Sequence, residues 1–181
     1  MRIISGKFKA RRFSVPKAFP SRPTTDFAKE GLFNILENQL DLCDLRILDL
    51  CSGTGNISFE FLSREAGNVI AVDQNSRCLR HISETAKQLG ITSGLTTIKE
   101  DIVHFIERTE ETFDLIFADP PYAYSKHAEL VQAIYQRNLL NPGAWLIVEH
   151  GRDTKLNELP NFEFVRSYGN VYFSFFTKDN Q

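Results

Sequence analysis

The sequence predicts an α/β fold in which a mostly parallel sheet is covered by helices on both faces. Short apolar runs rich in β-branched and aromatic residues alternate with longer segments whose apolar residues recur at helical spacing. Such alternation is typical of a parallel sheet, because a crossover between parallel strands needs a connection about as long as a helix. The last two runs surround Gly169-Asn170 and predict an antiparallel hairpin that closes the sheet.

The composition is that of one globular domain in a reducing compartment. The chain has 181 residues, of which 42% are hydrophobic and 24% charged, and no apolar run is long enough to span a bilayer. The basic N-terminus is not followed by an apolar stretch, which excludes a signal peptide. The three cysteines form no Cys-x-x-Cys pair and the four histidines form no ligand motif. We therefore expect a cytoplasmic protein without disulfides or a bound metal.

The first thirty residues are basic and predict a contact with a polyanion. Residues 1–30 hold eight basic and two acidic residues, a net charge of +6, although the net charge of the whole chain is −2. Residues 1–15 predict a small β-hairpin with its turn at Ser5 and Gly6, and the segment up to residue 23 reads as a proline-containing linker. Residues 24–181 then form the main domain. The alternative is a basic hairpin that only water contacts.

Phosphate groups are the expected partners of this hairpin. In a regular return strand, the alternating residues Lys7, Lys9 and Arg11 would share one face. Phosphate contacts from such a face give affinity and salt dependence but no sequence specificity. The residues expected to make these contacts are Arg2, Lys7, Lys9, Arg11, Arg12 and Arg22.

The elements of the main domain follow in a regular order. A threonine cap precedes a helix that begins near Phe27 and carries an apolar stripe at Leu32, Phe33 and Leu36. Further helices are predicted over 57–62, 78–89 and 126–138, and a turn over 141–143. The seven predicted strands are 46–50, 69–73, 95–99, 113–118, 145–149, 161–166 and 171–177.

The first predicted strand leads into a candidate ligand-binding turn. Asp49 lies near the strand end, and Gly53 and Gly55 form a Gly-x-Gly turn before the next helix. Glycines let a ligand approach the backbone, and a helix N-terminus offers unpaired N–H groups. An acid such as Asp49 suits a ligand that carries an ammonium group.

The next two strands end in acids that suit a nucleoside. Asp73 lies 24 residues after Asp49, about the distance at which an acid binds ribose hydroxyls in nucleoside-binding α/β folds. Asp101 is placed to accept from an adenine amino group, and Ile102 to contact the ring. A dinucleotide is the weaker alternative, because Ser58 stands where a third glycine would be expected.

The fourth strand runs into Asp-Pro-Pro-Tyr, which suits chemistry on an aromatic amine. Neither proline can donate a backbone hydrogen bond or continue a central strand, so the chain leaves the sheet in a stiff, extended form. The Asp119 carboxylate and the Pro120 carbonyl could grip both N–H bonds of an exocyclic amine on adenine or guanine and free its lone pair. Tyr122 could stack on the base, an interaction worth roughly 1–3 kcal/mol. The alternative is an ordinary strand exit.

Taken together, these features resemble the class I S-adenosylmethionine-dependent methyltransferases, which have a Rossmann-like, seven-stranded sheet with an antiparallel C-terminal hairpin. Six short motifs also occur in a fixed order along the chain: RIISGK (2–7), RPTTD (22–26), LFN (32–34), DLCSGTG (49–55), LSR (62–64) and DPPY (119–122). In this combination they resemble the RsmD-type family of bacterial ribosomal RNA guanine-N2 methyltransferases. The chain departs from that family at Cys51-Ser52, at Asn56–Ser58 and at Glu65–Gly67, but keeps both glycines of the turn.

The resemblance implies methyl transfer from S-adenosylmethionine to N2 of one guanine in small-subunit ribosomal RNA, free or within a partly assembled subunit. RNA is then the polyanion that the N-terminal hairpin binds. Asp49 and the two glycines would hold the methionine end of the cofactor, and Thr24 and Thr25 would close over it. The target base must be unpaired or flipped out of its stack to reach such a pocket.

Three other functions share some of these sequence features. Methylation of adenine N6 in DNA or RNA uses a similar amine, but no further domain is left over for reading a DNA sequence. Methylation of a protein glutamine generally accompanies Asn-Pro-Pro-Tyr, whereas this chain has Asp119. A non-catalytic nucleic-acid-binding module would not need acids at four strand ends. We expect a monomer, because no uncovered apolar element stands out.

Overall fold

A computed structural model describes residues 1–15, 19 and 24–179, so Arg22 and most of the predicted linker lie outside the described residues. Among the described residues, no helix is long and apolar enough to cross a lipid bilayer. The helices and strands, in chain order, are α1 (Asp26–Gln39), β1 (Arg46–Leu50), α2 (Asn56–Ser63), β2 (Asn68–Asp73), α3 (Ser76–Leu89), β3 (Leu95–Lys99), α4 (Ile102–Arg108), β4 (Phe113–Ala118), α5 (His127–Gln136), β5 (Leu140–His150), β6 (Phe162–Tyr168) and β7 (Val171–Thr177).

The strands form one seven-stranded sheet with the order β3-β2-β1-β4-β5-β7-β6. Strands β1 to β5 are parallel, and β7 is antiparallel to both β5 and β6. The α/β fold, its parallel sheet and its C-terminal hairpin are therefore confirmed. The strand order reverses between β1 and β4, and ligands of open α/β sheets bind outside the carboxyl ends of the strands at such a point.

Both faces of the sheet are buried. Neighbouring residues of β1 show this most directly, because Ile47 packs in one hydrophobic cluster and Leu48 in the other. The first cluster includes Leu32 and Phe59 from α1 and α2, and the second includes Phe105 from α4. Alternate strand side chains point to opposite faces, so a strand covered on both sides reads as a continuous apolar run.

The N-terminal arm, residues 1–15, is a shorter hairpin than the one predicted. Its two ends pair around an antiparallel bridge between Arg2 and Arg12, and the Ile3 amide donates to the Arg11 carbonyl at 3.0 Å. Two consecutive turns lie between the paired ends, because the Lys9 amide donates to the Gly6 carbonyl at 3.1 Å and the Arg11 amide donates to the Phe8 carbonyl at 3.1 Å. Residues 7–10 therefore lie in turns, and the prediction that Lys7, Lys9 and Arg11 alternate along one strand face was wrong.

The arm is docked on the C-terminal end of α2. The Lys7 amide donates to the Ser63 carbonyl at 2.7 Å, and the Phe8 amide donates to the Ser63 hydroxyl at 2.9 Å. A Cβ at Gly6 would lie 1.9 Å from that same carbonyl oxygen, and φ is +78° there. Only glycine fits this close approach.

Two further elements differ from the sequence prediction. The predicted turn over 141–143 belongs to β5, which pairs with β4 through Leu140 and again through Trp145, with an irregularity between them. Gly143, with φ of +75°, lies within that irregularity. The short helix α4 was not predicted, although Ile102 and Phe105 have the spacing of a buried helical face.

Candidate active site

Acidic side chains converge at the carboxyl ends of β1, β2 and β4. The Cys51 thiol, which follows β1, shows this convergence: burial raises its pKa, and the charges of Asp119, Asp73, Asp49 and Asp101 raise it further, in that order. The backbone fixes the arrangement, because the Asp119 amide donates to the Leu50 carbonyl at 3.1 Å. The acids predicted from the sequence thus lie together at the carboxyl ends of the strands. The region between Asp49, Asp73, Asp101 and Asp119 is called the crevice below.

Asp49 is the most deeply buried of these acids, with 1% of its surface exposed. Burial raises the pKa of Asp49 to about 7, a hydrogen bond from the Ser58 hydroxyl opposes the rise, and the nearby Asp73 adds to it. Within the described residues, no group of histidine, cysteine or acidic side chains is arranged to hold a metal ion. An acid in such surroundings favours a cationic ligand.

Asp73 holds the Gly-x-Gly turn in place. One carboxylate oxygen accepts from the Gly53 amide at 2.9 Å, and the other accepts from the Asn75 amide at 2.7 Å. The Cys78 thiol is a further hydrogen-bond partner of this carboxylate, and of its roughly four acceptor sites one remains for a ligand hydroxyl. The turn is left-handed at both glycines, with φ of +52° at Gly53 and +74° at Gly55.

Packing also requires a small residue at Gly55. A Cβ there would lie 2.8 Å from Ile82 and 2.9 Å from Phe59, so any larger side chain would clash with the core. Gly55 is also the N-cap of α2 and has no side chain to accept from the first turn. The first N–H groups of α2 can therefore bind an anionic group such as a carboxylate.

The crevice has an unsatisfied polar group that fits a bound ligand. The Ser52 hydroxyl lies in the turn after β1 and is buried without a hydrogen-bond partner among the described residues. Buried polar atoms are rarely left unpaired. The acids provide hydrogen-bond acceptors, and the α2 N-terminus and Ser52 provide donors. This combination suits an amino acid joined to a nucleoside.

Asp101 and Ile102 lie at the start of α4. Asp101 is the N-cap, and its Oδ1 accepts from the Val103 amide at 2.9 Å and the His104 amide at 3.4 Å. The other carboxylate oxygen remains available for an adenine amino group. Asp101 is exposed and Ile102 is buried, so the predicted contact of Ile102 with a ring would use only a small part of the side chain.

Asp119 and Pro120 lie together at the end of β4. Burial raises the pKa of Asp119 well above its ordinary value, and the charges of Glu149 and Asp49 raise it further. Pro120 is buried, whereas Tyr122 is 78% exposed and lies at the mouth of the site. A cavity of about 150 Å³ opens beside them and is lined further by His127, Glu149, His150, Gly151, Arg152, Asp153 and Thr154.

Glu149 was not predicted as a site residue, although it is an acid at the end of the fifth strand. Its carboxylate is 7% exposed and accepts from the Thr24 hydroxyl at 2.9 Å. Thr24 is therefore brought into the site, as predicted for a residue that closes over it. Thr25 is not: its hydroxyl accepts from the Ala28 amide at 3.2 Å and caps α1.

A buried lysine, also not predicted, connects the arm to the site. Lys29 Nζ donates to the Arg2 carbonyl at 2.5 Å and to Asn56 Oδ1 at 2.7 Å, and it forms an ion pair with Glu60 at 2.9 Å. The side chain of Asn56 in turn donates to the Thr24 carbonyl at 3.0 Å. No helix-stripe pattern could identify Lys29, because its partners lie on other elements.

The basic residues of the arm differ in their exposure and in their contacts. Lys7, Lys9, Arg11 and Arg12 are exposed. Arg2 and Arg11 also contact the rest of the protein: Arg2 pairs with Asp26 at 3.0 Å, and Arg11 donates to the Gln88 carbonyl at 3.3 Å. Arg22 lies outside the described residues.

Comparison with known proteins assigns a family along almost the whole chain. The family model described as Conserved hypothetical protein 95 matches residues 1–177. Ribosomal RNA small subunit methyltransferase D of Haemophilus influenzae is 27% identical over 169 residues, covering 92% of this chain and 86% of that protein. The chain belongs to the RsmD-type family of S-adenosylmethionine-dependent methyltransferases. The family resemblance read from the sequence motifs is confirmed.

One further relative and one solved structure are similar over most of the chain. The YlbH protein of Bacillus subtilis is 32% identical over 161 residues, covering 87% of this chain and 86% of YlbH. The solved structure of Escherichia coli yhhF shares the fold, with a TM-score of 0.87 at 24% identity, and covers 100% of this chain and 99% of that one. The shared fold thus includes the N-terminal arm as well as the sheet.

Proposed function

We propose that the chain transfers a methyl group from S-adenosylmethionine to the exocyclic N2 amine of one guanine in small-subunit ribosomal RNA. The observation that carries the proposal is the placement of Asp119 and Pro120 beside the acidic crevice at the switch point of the sheet. Two acceptors there can bind both hydrogens of an amine. The reaction takes place in the cytoplasm, on RNA alone or within a partly assembled subunit, and the enzyme acts as a monomer.

S-adenosylmethionine supplies an electrophilic methyl group on a sulfonium, and its charges match the crevice. Asp49 accepts from its ammonium group, and the first N–H groups of α2, after Gly53 and Gly55, bind its carboxylate. Asp73 accepts from the ribose hydroxyls. Asp101 accepts from the adenine amine through its second oxygen, with Ile102 against the ring. Thr24 closes the methionine side, whereas Thr25 caps α1.

Asp119 and Pro120 prepare the acceptor amine. The amine of a nucleobase is a poor nucleophile, because its lone pair is delocalised into the ring. The Asp119 carboxylate and the Pro120 carbonyl accept its two N–H bonds and draw the nitrogen toward tetrahedral geometry. As the N–C bond forms, the C–S bond breaks with its electrons left on sulfur, and the amine proton passes to Asp119 and then to water. Alignment of the reactants provides most of the rate.

The arm and Tyr122 position the RNA. Lys7, Lys9 and Arg12 contact phosphates, joined by Arg2, Arg11 and Arg22, and they supply affinity without sequence selection. Tyr122 is exposed at the mouth of the cavity and stacks on the flipped base.

Methylation in vitro tests the proposal. The purified chain is incubated with S-adenosylmethionine labelled in its methyl group and with small-subunit RNA, both free and as partly assembled subunits, from cells that lack the gene. Nucleosides are then separated by mass spectrometry. Label in N2-methylguanosine at one position supports the proposal, and label in N6-methyladenosine would transfer the assignment to adenine.

A further inference from the structure

We infer that the cavity beside Asp119 is a guanine-selective subsite, in which Glu149 accepts from the base N1–H and His127 donates to the base O6. The inference rests on the proposed function, because it supposes that an RNA base enters this cavity. It goes beyond that function by assigning residues that choose guanine over adenine.

The cavity has the size and position of a base pocket. Its volume is about 150 Å³, enough for a small aromatic ring, and it opens to solvent past Tyr122. Asp119 and Pro120 line the same cavity as Glu149 and His127. A base whose amine is held by the first pair therefore places its remaining polar edge near the second pair.

Glu149 is held ready to accept a hydrogen bond. Its side chain is 7% exposed, and the Thr24 hydroxyl donates to Oε2 at 2.9 Å, which leaves Oε1 for a ligand. Burial raises the pKa of Glu149 to about 7 and the hydrogen bond from Thr24 opposes that rise, so the ionised form that binds N1–H is populated from neutral pH upward. Thr24 is fixed in turn by Asn56, so the carboxylate is oriented before any base binds.

His127 supplies an unused polar atom in the same cavity. The residue is 5% exposed, and its Nε2 is buried without a hydrogen-bond partner among the described residues. Its ring packs edge-on against Tyr124 and His150, at centroid distances of 5.3 Å and 6.3 Å. Burial and the neighbouring His150 lower the pKa of His127, so the ring is neutral, and with its proton on Nε2 it can donate to a carbonyl.

The hydrogen-bonding edges of the two purines decide between them. Guanine presents the N2 amine, the N1–H donor and the O6 acceptor in a row. Adenine presents an amine beside N1, which is an acceptor. A carboxylate opposite N1 therefore binds guanine and repels adenine. A site built to hydrogen-bond a group strongly rejects the analogue that lacks it, because its own buried polar atoms are left unpaired.

Replacement of the target guanine by 2-aminopurine tests the inference directly. This analogue keeps the amine at C2 but has an acceptor at N1 and no O6. The analogue is ligated into small-subunit RNA at the mapped nucleotide, and single-turnover methylation of both RNAs is measured. The wild-type enzyme should favour guanine by roughly 100-fold, as expected from the loss of one good base contact.

Two variants separate the two contacts. Glu149→Gln keeps the shape of the side chain but offers an amide donor to N1 of 2-aminopurine, so the preference should fall below about 10-fold. His127→Phe should slow methylation of guanine about 10-fold and leave the rate on 2-aminopurine unchanged, because that base has no O6. The change in the guanine-to-2-aminopurine rate ratio from the wild type to each variant cancels the intrinsic reactivity of the two amines. Calorimetric binding of S-adenosylmethionine checks that both variants are folded.

Each outcome decides the matter. Equal wild-type rates on the two bases would overturn the inference and leave guanine methylation intact. An unchanged preference in Glu149→Gln would remove Glu149 from the subsite, and equal slowing of both bases by His127→Phe would remove His127. If the wild-type enzyme methylates no guanine in this RNA, the proposed function and the inference both fail. The wild-type comparison stands even if a variant does not fold.

Discussion

Asp49 is a buried carboxyl group, and the charged groups that raise its pKa are the acids Asp73 and Glu149. Burial raises its pKa to about 7, so near neutral pH the folded chain binds a proton that the unfolded chain has released. A group of this kind stabilises the fold below its unfolded pKa, and that contribution is lost as pH rises through its folded pKa. An ammonium group bound beside Asp49 would stabilise the ionised carboxylate. Binding of the cofactor should therefore also stabilise the fold.

We predict that Asp49→Asn stabilises the apoprotein at alkaline pH and weakens cofactor binding. The asparagine can still accept from Ser58, but it carries no charge to bury. At about pH 8 the free energy of unfolding should rise by about 2–4 kcal/mol, and near pH 4 it should change little. Urea denaturation across this pH range measures the effect, and calorimetry measures the loss of S-adenosylmethionine affinity. An equal effect at both pH values would contradict the burial argument.

Asp119 and Glu149 are two neighbouring buried acids, and the negative charge of each disfavours the ionisation of the other. Burial raises the pKa of Glu149 to about 7, while burial and then the charge of Glu149 raise that of Asp119. Asp119 must be ionised to accept the amine, so the rate should fall as pH drops through its raised pKa.

Removal of the Glu149 charge should therefore shift the pH profile of the reaction. In Glu149→Gln, the acidic limb of kcat/KM should move to lower pH by about one unit, because Asp119 loses one of the charges that raise its pKa. Asp49 also faces Asp119 and keeps part of the shift. Thr24→Ser, which retains the donor to Glu149, is the matched control and should leave the limb in place. An unmoved limb in Glu149→Gln would show that the two carboxyls are not coupled.

At the scale of elements, the buried strands could be predicted from sequence and the irregular segments could not. Strand β4 is apolar along its whole length and ends at two prolines, so local sequence determines it. The irregularity in β5 and the turns of the arm depend on pairing with distant residues, such as Lys178 and Ser63. Helix α4 could have been found from its Asp101 cap and its apolar spacing, but at seven residues its periodicity is short.

Some residues of the candidate site could likewise be predicted from sequence, and others could not. The acids at the strand ends and Asp-Pro-Pro-Tyr could be identified, because strand ends of a parallel sheet lie along one edge. Glu149 is also an acid at the end of a strand, but its role becomes apparent only from its position in the wall of the cavity. Lys29 and His127 could not be identified, because one is buried by the arm and the other by neighbouring rings, and neither has a local pattern.

The packing of the arm on α1 and α2 depends on Lys29. Its ammonium group is fully buried among one carbonyl, one amide oxygen and the Glu60 carboxylate. Burial lowers its pKa, and the Glu60 charge opposes that change. Removing one partner of a buried ion pair is strongly destabilising, and here Arg64 still pairs with Glu60 and limits the loss to the low end of the usual range.

Lys29→Met should therefore destabilise the protein by about 3 kcal/mol. The methionine fills similar space but leaves the Arg2 carbonyl and Asn56 without their donor. Lys87→Met, at an exposed position near the end of α3, is the matched control and should change the free energy of unfolding by less than about 0.5 kcal/mol. Denaturant titration measures both variants, and a neutral Lys29→Met would contradict the role given to this network.

At the scale of the whole molecule, opposite charges are separated between the arm and the crevice. The arm carries exposed lysines and arginines, which in the proposed function attract RNA, while the buried acids favour a cationic cofactor. This separation lets a chain with a net charge of −2 bind a polyanion.

Charge reversal on the arm tests this separation. Lys7→Glu, Lys9→Glu and Arg12→Glu together should weaken RNA binding and reduce the slope of log affinity against log salt by about 2. The control reverses Arg137, Arg166 and Lys178, which changes the net charge of the chain equally outside the arm. Fluorescence anisotropy with small-subunit RNA at several salt concentrations gives the slopes. Equal slopes for the two triple variants would exclude the arm as the RNA-binding surface.

The central claim is tested most directly by mapping modified nucleosides in the ribosomal RNA of cells that lack the gene. Mass spectrometry should show that N2-methylguanosine is lost at one position of the small-subunit RNA. The wild-type gene should restore it, and Asp119→Asn should not, even though the variant still binds S-adenosylmethionine. An intact set of N2-methylguanosines, with an N6-methyladenosine missing instead, would contradict the assignment to guanine. Restoration by Asp119→Asn would contradict the role of Asp119.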